Sequence, residues 1–283
     1  MAVSLALPDT ETCLAALNRI GSRVGFAELR LDLMKSFDLP RLINESPCQL
    51  IITCRAQREG GAFKGSEAER HEILSEAMNL NCAYVDVEWD DVTKLRKRRR
   101  TTTRLIASRH WNDHMPATLW PFYESLRQQA DAVKLVGLAQ RPADIIPVFD
   151  LLRRATSLVI GLAMGAAGRL TRLLAPLAPH CLLTYGALSA AEVTAPGQLT
   201  VAEMIDSYHL DTINPQSEVH IHLCSDAASA VFAQNGDGTN SALYLPLLLS
   251  YDEATELLPS LKNYLPRLHL SADPPLQKVL SYT

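Results

Sequence analysis

The segment AVKLVGLA, Ala132 to Ala139, decides the fold: it is apolar or small throughout except for one lysine, with no alternation along its length. A strand that is apolar on both sides of its pleat is buried on both faces, as in a parallel sheet covered by helices. Similar runs recur around Val3, Leu29, Ile52, Val85, Ile106, Ile160 and Thr184. Their mean separation of about 26 residues leaves room for one crossover helix per strand. Eight such units predict an α/β chain folded as a (β/α)8 TIM barrel. An open doubly wound sheet is the alternative, but neither GxGxxG nor GxxxxGK[ST] follows any strand, which removes its commonest nucleotide-binding forms.

Outward from that core the pattern holds to a closing helix expected at Val201 to His209, and then changes. Residues 211–283 contain a strand EVHIHLC, a loop NGDGTNS, a second strand ALYLPLLL and a helix DEATELLPSLKNYL. The expected organisation is a barrel over 1–210 with a small appended α/β C-terminal segment over 211–283. With 283 residues, 47% hydrophobic and 20% charged, the chain is neither disordered nor fibrous. A net charge of −4 weighs against nucleic acid as a partner, and KLRKRRR at Lys94 to Arg100 reads as a solvated helix end. Six cysteines without a CxxC pair suggest a reducing compartment rather than a disulfide framework or zinc knuckle. The start MAVSLALPD is a poor signal peptide and no apolar stretch is long enough for a bilayer, so a cytoplasmic protein without membrane contact is expected.

A barrel places its chemistry at the C-terminal ends of its strands. Polar residues interrupt the apolar runs there: Glu28, Arg30 and Asp32, then Arg55, then Asp86 and Glu88, then His110, and Lys134. Several charges in one barrel mouth are costly unless they pair or bind something charged. Lys134, between Val133 and Leu135, reads as an amine in a low-dielectric interior, where desolvation favours the neutral, imine-forming state. A lysine that snorkels or pairs with a neighbouring carboxylate fits the same spacing. His110 is a candidate general acid/base because imidazole titrates near neutrality, though a structural hydrogen-bonding role is open to it too. Glu59, in REGGAFKG, could orient the imidazole or be solvated. Arg172 and Gln198, after the seventh and eighth strands, suit a carboxylate fork and a hydroxyl or amide reader; a solvated charge and a plain turn are the alternatives.

In this order the pieces resemble type I 3-dehydroquinate dehydratase, the Schiff-base enzyme family of the shikimate pathway. They are ELRLD from Glu28, TCR from Thr53, REGG from Arg58, YVDVE from Tyr84, SRH from Ser108, VKLVG from Val133, MGAAGRLTR from Met164 and TAPGQLT from Thr194. The resemblance implies that Lys134 attacks the C3 ketone of 3-dehydroquinate to give a protonated imine. His110 then removes the C2 proton and protonates the departing C1 hydroxyl, held by Glu59. It further implies that Arg172 grips the substrate carboxylate, that Ser4, Glu28, Arg30, Arg55, Thr194 and Gln198 complete the binding site, and that Met164 packs on the ring. No metal, no cofactor and a homodimer are implied. Three positions depart from the family pattern: Thr194 for serine, Tyr185 for phenylalanine, and Trp111 beside His110.

The tail resembles, more faintly, the opening of shikimate dehydrogenase as fused behind this barrel in bifunctional enzymes, through NPQSEVHIHLC, VFAQNG and ALYLPLLL. The substrate loop, catalytic lysine and NADP loop of that enzyme are not found, so no dehydrogenase activity is expected. His220 and His222 share a strand face and could begin a metal site, but with no third ligand near them in sequence they read as structural. The competing functional readings are another Schiff-base aldolase-type barrel enzyme and a catalytically silent quinate or dehydroquinate-binding regulator.

Overall fold

The computed structural model describes residues 1–225 and 242–281. Eight parallel strands form one curled sheet: β1 (Ala2–Leu5), β2 (Phe26–Arg30), β3 (Gln49–Thr53), β4 (Tyr84–Glu88), β5 (Arg104–Trp111), β6 (Ala132–Leu138), β7 (Val159–Met164) and β8 (Tyr185–Ala187). Their spatial order is β7-β6-β5-β4-β3-β2-β1-β8, with β1 paired to both β2 and β8. Every expected strand is present; the last begins one residue after Thr184 and is three residues long. Closure between β7 and β8 is made by a single parallel bridge, Val159 to Cys181, in the approach to β8. Val159 donates to His180 and accepts from Leu182 there.

The helices between the strands are α1 (Thr10–Ile20), α2 (Leu39–Glu45), α3 (Glu67–Asn79), α4 (Val92–Arg96), α5 (Trp120–Leu126), α6 (Ile146–Arg154) and α7 (Arg169–Leu174). Sequence sets their limits. Asp9 and Asp38 cap α1 and α2, and Ser66 with Glu69 forms a capping box on α3. Interior-facing Val, Ile and Leu of β3 to β7 are almost wholly buried, so the barrel is a packed core and the chemistry is pushed to its rim. The expected helix at Val201 to His209 has two α-helical residues, Val201 and Ala202, and continues as a π-helical segment, Glu203–Ser207.

The tail forms a second parallel sheet with order β10-β9-β11, from β9 (Glu218–Cys224), β10 (Ala242–Leu248) and β11 (Leu268–Ala272). β11 was not anticipated from the sequence. The loop NGDGTNS and the segment VFAQNG lie outside the described residues. Helix α8 (Tyr251–Tyr264), where DEATELLPSLKNYL was expected to be helical, joins the tail to the barrel. Tyr264 stacks on Phe149 of α6 with ring centroids 4.9 Å apart, and its hydroxyl donates to the carbonyl of Leu174. The basic run ends α4 as expected and is partly neutralised: Lys94 pairs with Asp91, Arg98 with Glu72 and Arg99 with Asp131.

Candidate active site

A small cavity of about 100 Å³ opens at the C-terminal ends of the strands. Ser4, Glu28, Arg30, Arg55, Glu59, His110, Lys134, Met164, Arg172, Thr194 and Gln198 all line it, so the structure gathers in one place every site residue expected from the sequence. Gly60, Asn112, Val136, Leu162, Tyr185 and Ala195 complete the lining. Val136 and Leu162 carried a signal that went unread: each stands two residues from an expected site residue on its own strand, and a period of two returns a side chain to the same face.

Lys134 is buried, but its amine is not the neutral group suggested by desolvation alone. Nζ donates to Glu28 Oε1 at 3.0 Å and to Asp86 Oδ2 at 2.9 Å. Burial pushes the lysine down, yet Asp86 and Glu28 outweigh it, so the ammonium is held above the ordinary lysine range. The same pairing keeps both carboxylates ionised: burial alone would raise them, and Arg55 and Lys134 at Asp86, and Lys134 at Glu28, bring them below their usual range. Asp86, on β4, received no role from the sequence. It reaches Lys134 across the barrel interior, a contact that no spacing along the chain predicts.

The other charges beneath the cavity are paired among themselves. Arg55 contacts Asp86 at 2.9 Å and Glu88 at 3.2 Å and donates to Ser108 Oγ at 2.7 Å. It also lines the cavity, but most of its donors are spent on the network. Arg30 forks onto Asp32 at 2.7 and 2.9 Å. Ser4 and Thr53 donate to the two oxygens of Glu28. Each ion is thus compensated by a neighbour, as buried ions require.

His110 and Glu59 form a distinct pair. Glu59 is buried rather than solvated, and its Oε2 lies 3.0 Å from His110 Nδ1 while also accepting the His110 backbone N–H at 3.0 Å. A carboxyl fixed this way assigns the proton to Nδ1 and leaves Nε2 as the acceptor. Burial first, then the positive charges of Arg55 and Lys134, hold the imidazole well below its ordinary pKa, so it is neutral at rest. Burial pushes Glu59 up to about 7, opposed by Arg55 and assisted by Glu88.

Arg172, on α7, is different from all the other cations of the site. It is 3% exposed, its nearest acceptor is the Tyr185 carbonyl at 3.5 Å, and Nε has no partner among the described residues. Burial pulls its guanidinium down to about 10. A buried, uncompensated, forked cation on the wall of a cavity is chemically suited to receive an anion, a planar carboxylate above all.

Two loops close the mouth. Gly165 has φ +87° and donates to the Pro196 carbonyl; Gly197 has φ +72°, where an added Cβ would lie 2.1 Å from the Gly165 carbonyl oxygen. The backbone N–H and hydroxyl of Thr194 both donate to Gln198 Oε1, at 3.0 and 3.1 Å, which turns the amide NH₂ of Gln198 into the end available to a ligand. Tyr185, at the phenylalanine position of the family pattern, places its hydroxyl 3.3 Å from Lys134 Nζ.

Comparison with known proteins agrees with this geometry. The sequence profile of the family described as type I 3-dehydroquinase matches residues 1–215. The 3-dehydroquinate dehydratase of Desulfotalea psychrophila is 34% identical over 215 residues, covering 71% of this chain and 93% of that protein. The chloroplastic bifunctional 3-dehydroquinate dehydratase/shikimate dehydrogenase of Arabidopsis thaliana is 33% identical over 204 residues, which is 68% of this chain and 34% of the plant protein. The chain therefore matches about a third of that longer relative. Among solved structures, 3-dehydroquinate dehydratase from Geobacillus kaustophilus shares the fold with a TM-score of 0.62 at 21% identity, covering 73% of this chain and 91% of its own. Dehydroquinate dehydratase and shikimate dehydrogenase from S. pombe has a TM-score of 0.62 at 22% identity, covering 100% of this chain and 58% of its own, so the shared fold there extends through the tail.

Proposed function

The chain belongs to the type I 3-dehydroquinase family, and we propose that in its dehydration of 3-dehydroquinate Lys134 forms the imine, His110 moves the protons and Arg172 takes the carboxylate. The reaction is that of a hydro-lyase: 3-dehydroquinate loses water to give 3-dehydroshikimate, a step of the shikimate pathway. The observation that carries the residue assignment is the arrangement around one small cavity, where a buried amine, a neutral imidazole and a guanidinium without an anion all face the same space.

The charge state at rest sets the first step. Lys134 holds a proton and His110 does not, so the amine must shed its proton before it attacks C3. The entering ketone loosens the pairing with Glu28 and Asp86 that holds the proton, and His110, the neutral base facing the same cavity, takes it. The carbinolamine loses its oxygen as water, protonated from His110, and leaves a protonated imine. That cation occupies the place of the original ammonium between Glu28 and Asp86, so the carboxylate pair sees one positive charge before and after. His110 Nε2 next removes the C2 proton and the C2–H electrons move into the imine. The resulting enamine expels the C1 hydroxyl, which leaves as water with the proton from His110. Hydrolysis of the product imine consumes one water and restores Lys134, for a net release of one water per turnover.

Glu59 keeps Nε2 aimed at the substrate, and Gln198 with Ser4 and Arg30 receives the ring hydroxyls. Sodium borohydride added during turnover should leave a substrate-derived mass on Lys134, absent in Lys134→Ala. An adduct on another lysine, or none in an active enzyme, would refute the assignment.

We also propose that residues 1–210 are the catalytic unit and 211–283 an accessory segment, that the enzyme is a homodimer, and that it works in the cytoplasm. All six cysteines are free thiols, which supports the last reading; among the described residues no helix is long and apolar enough to cross a membrane. Sedimentation of the purified chain checks the dimer: a monomer at micromolar concentration rejects it.

A further inference from the structure

From the tail sheet we infer a divalent metal site of the zinc class, held by His220, His269 and Glu218. The three lie on one face of the tail sheet: Glu218 and His220 are two residues apart on β9, and His269 of β11 stands directly opposite His220 in the parallel register. Their ligand atoms lie within 4.8 Å of one another. Glu218 Oε2 is 3.7 Å from His220 Nε2 and 3.8 Å from His269 Nε2.

Those separations are too long for hydrogen bonds, so the carboxylate is committed to neither imidazole. They are a few tenths of an ångström longer than the distance of about 3.3 Å that separates the ligands of a tetrahedral ion with bonds near 2.0–2.1 Å. The imidazoles are also neighbours before any ion arrives. His220 is stacked between Tyr244 of β10 at 4.6 Å and His269 at 4.5 Å, with interplanar angles of 14° and 13°. All three rings occupy one rung across the three strands, Tyr244 opposite His220 opposite His269. The ladder sets Nε2 of both histidines near the same Glu218 oxygen. Since nearly parallel rings cannot both aim their in-plane lone pairs at one ion, the more exposed His269 turns about its Cβ–Cγ bond to complete the site. Side-chain exposures of 33% for His220, 55% for His269 and 53% for Glu218 leave the outer coordination positions open to water.

Two imidazoles and one carboxylate are a borderline ligand set that suits Zn²⁺, Co²⁺ or Ni²⁺ rather than Ca²⁺ or Mg²⁺. His222, the other histidine of the HIH motif, is not part of the site: its two ring nitrogens are engaged by Ser271 and Asp273. The second cluster with ligand spacing, Glu67, His71 and Asp91, is filled by the cations of Arg58, Arg70 and Lys94 and has no room for another. Because the ion would bridge β9 to β11, its effect is to clip the tail sheet together, apart from the dehydratase cavity.

The test is a Zn²⁺ titration of the chelator-stripped full chain against a chromophoric competitor, repeated with Co²⁺ to read the visible bands of a low-symmetry site. One ion per chain with micromolar affinity is expected. His220→Ala and His269→Ala should each weaken it at least about tenfold, while His222→Ala binds as the wild type does and all three keep wild-type dehydratase activity. Absence of binding below about 1 mM, binding that survives His269→Ala, or equal loss in His222→Ala overturns this ligand set.

Discussion

Replacing Arg172 by methionine should make the protein more stable and a far poorer binder of its substrate. The guanidinium is 3% exposed, has no carboxylate partner among the described residues and is drawn down from its ordinary range to about 10 by burial. At 1.36 kcal/mol for each factor of ten, that gap corresponds to about 3 kcal/mol of charge burial. The sign follows from the direction: a base whose folded pKa is depressed carries its full penalty below the folded pKa, hence throughout the neutral range, and loses it only as pH rises above about 10. Arg172→Met removes the charge while roughly conserving volume, so a net gain of about 1–3 kcal/mol is expected after imperfect repacking, or about 2–4 °C in Tm per kcal/mol. Binding moves the other way. Losing one partner of a buried charge pair costs about 2–5 kcal/mol, which is a rise in KM of roughly 30-fold to several thousand-fold. Thermal unfolding without ligand, paired with steady-state kinetics, reads both effects. A variant that melts lower with unchanged KM would show that the guanidinium serves the fold and would refute the anion-receptor reasoning.

Glu59→Gln should lower kcat about tenfold or more by loosening His110. Because burial raises the Glu59 carboxyl from 4.5 to about 7, the wild type should lose about 3 kcal/mol of stability relative to this variant as pH climbs from 4.5 to 7; parallel urea-denaturation profiles would contradict it. Asp86→Asn leaves Lys134 with one carboxylate and breaks the Arg55 contact, so a loss of about 3–5 kcal/mol in chemical denaturation is expected. Tyr185→Phe removes only the 3.3 Å contact to Nζ and should change kcat by less than about tenfold, a ceiling that kinetics can test directly. Gly197→Ala forces a Cβ onto the Gly165 carbonyl at positive φ, displacing the loop that carries Thr194 and Gln198; KM should rise while borohydride trapping at Lys134 persists.

The barrel was legible because a strand buried on both faces writes its burial into consecutive residues, whatever its neighbours are. AVKLVGLA, YVDVE and LIITCR needed no partner to be recognised as strands. β11 was missed for the opposite reason. LHLSA is a half-exposed edge strand with two leucines, and pairing with β9 rather than its own composition makes it a strand. The site residues were legible because a charge inside an apolar strand is costly and demands a reason, and that demand can be read locally at Lys134, Glu28 and Arg55.

What could not be read was how those charges would answer one another. The amino-acid order determined which groups reach the barrel mouth, since strand period and strand end fix their place. Only the tertiary structure decided that Glu28 and Asp86 hold Lys134 in its ammonium form, that Arg172 has no such partner among the described residues, and, in the tail sheet, that His220 stacks on His269. Protonation and ligation depend on distances of a few ångströms between segments far apart in the chain. Chain spacing carries no record of those distances until folding closes the loops between them.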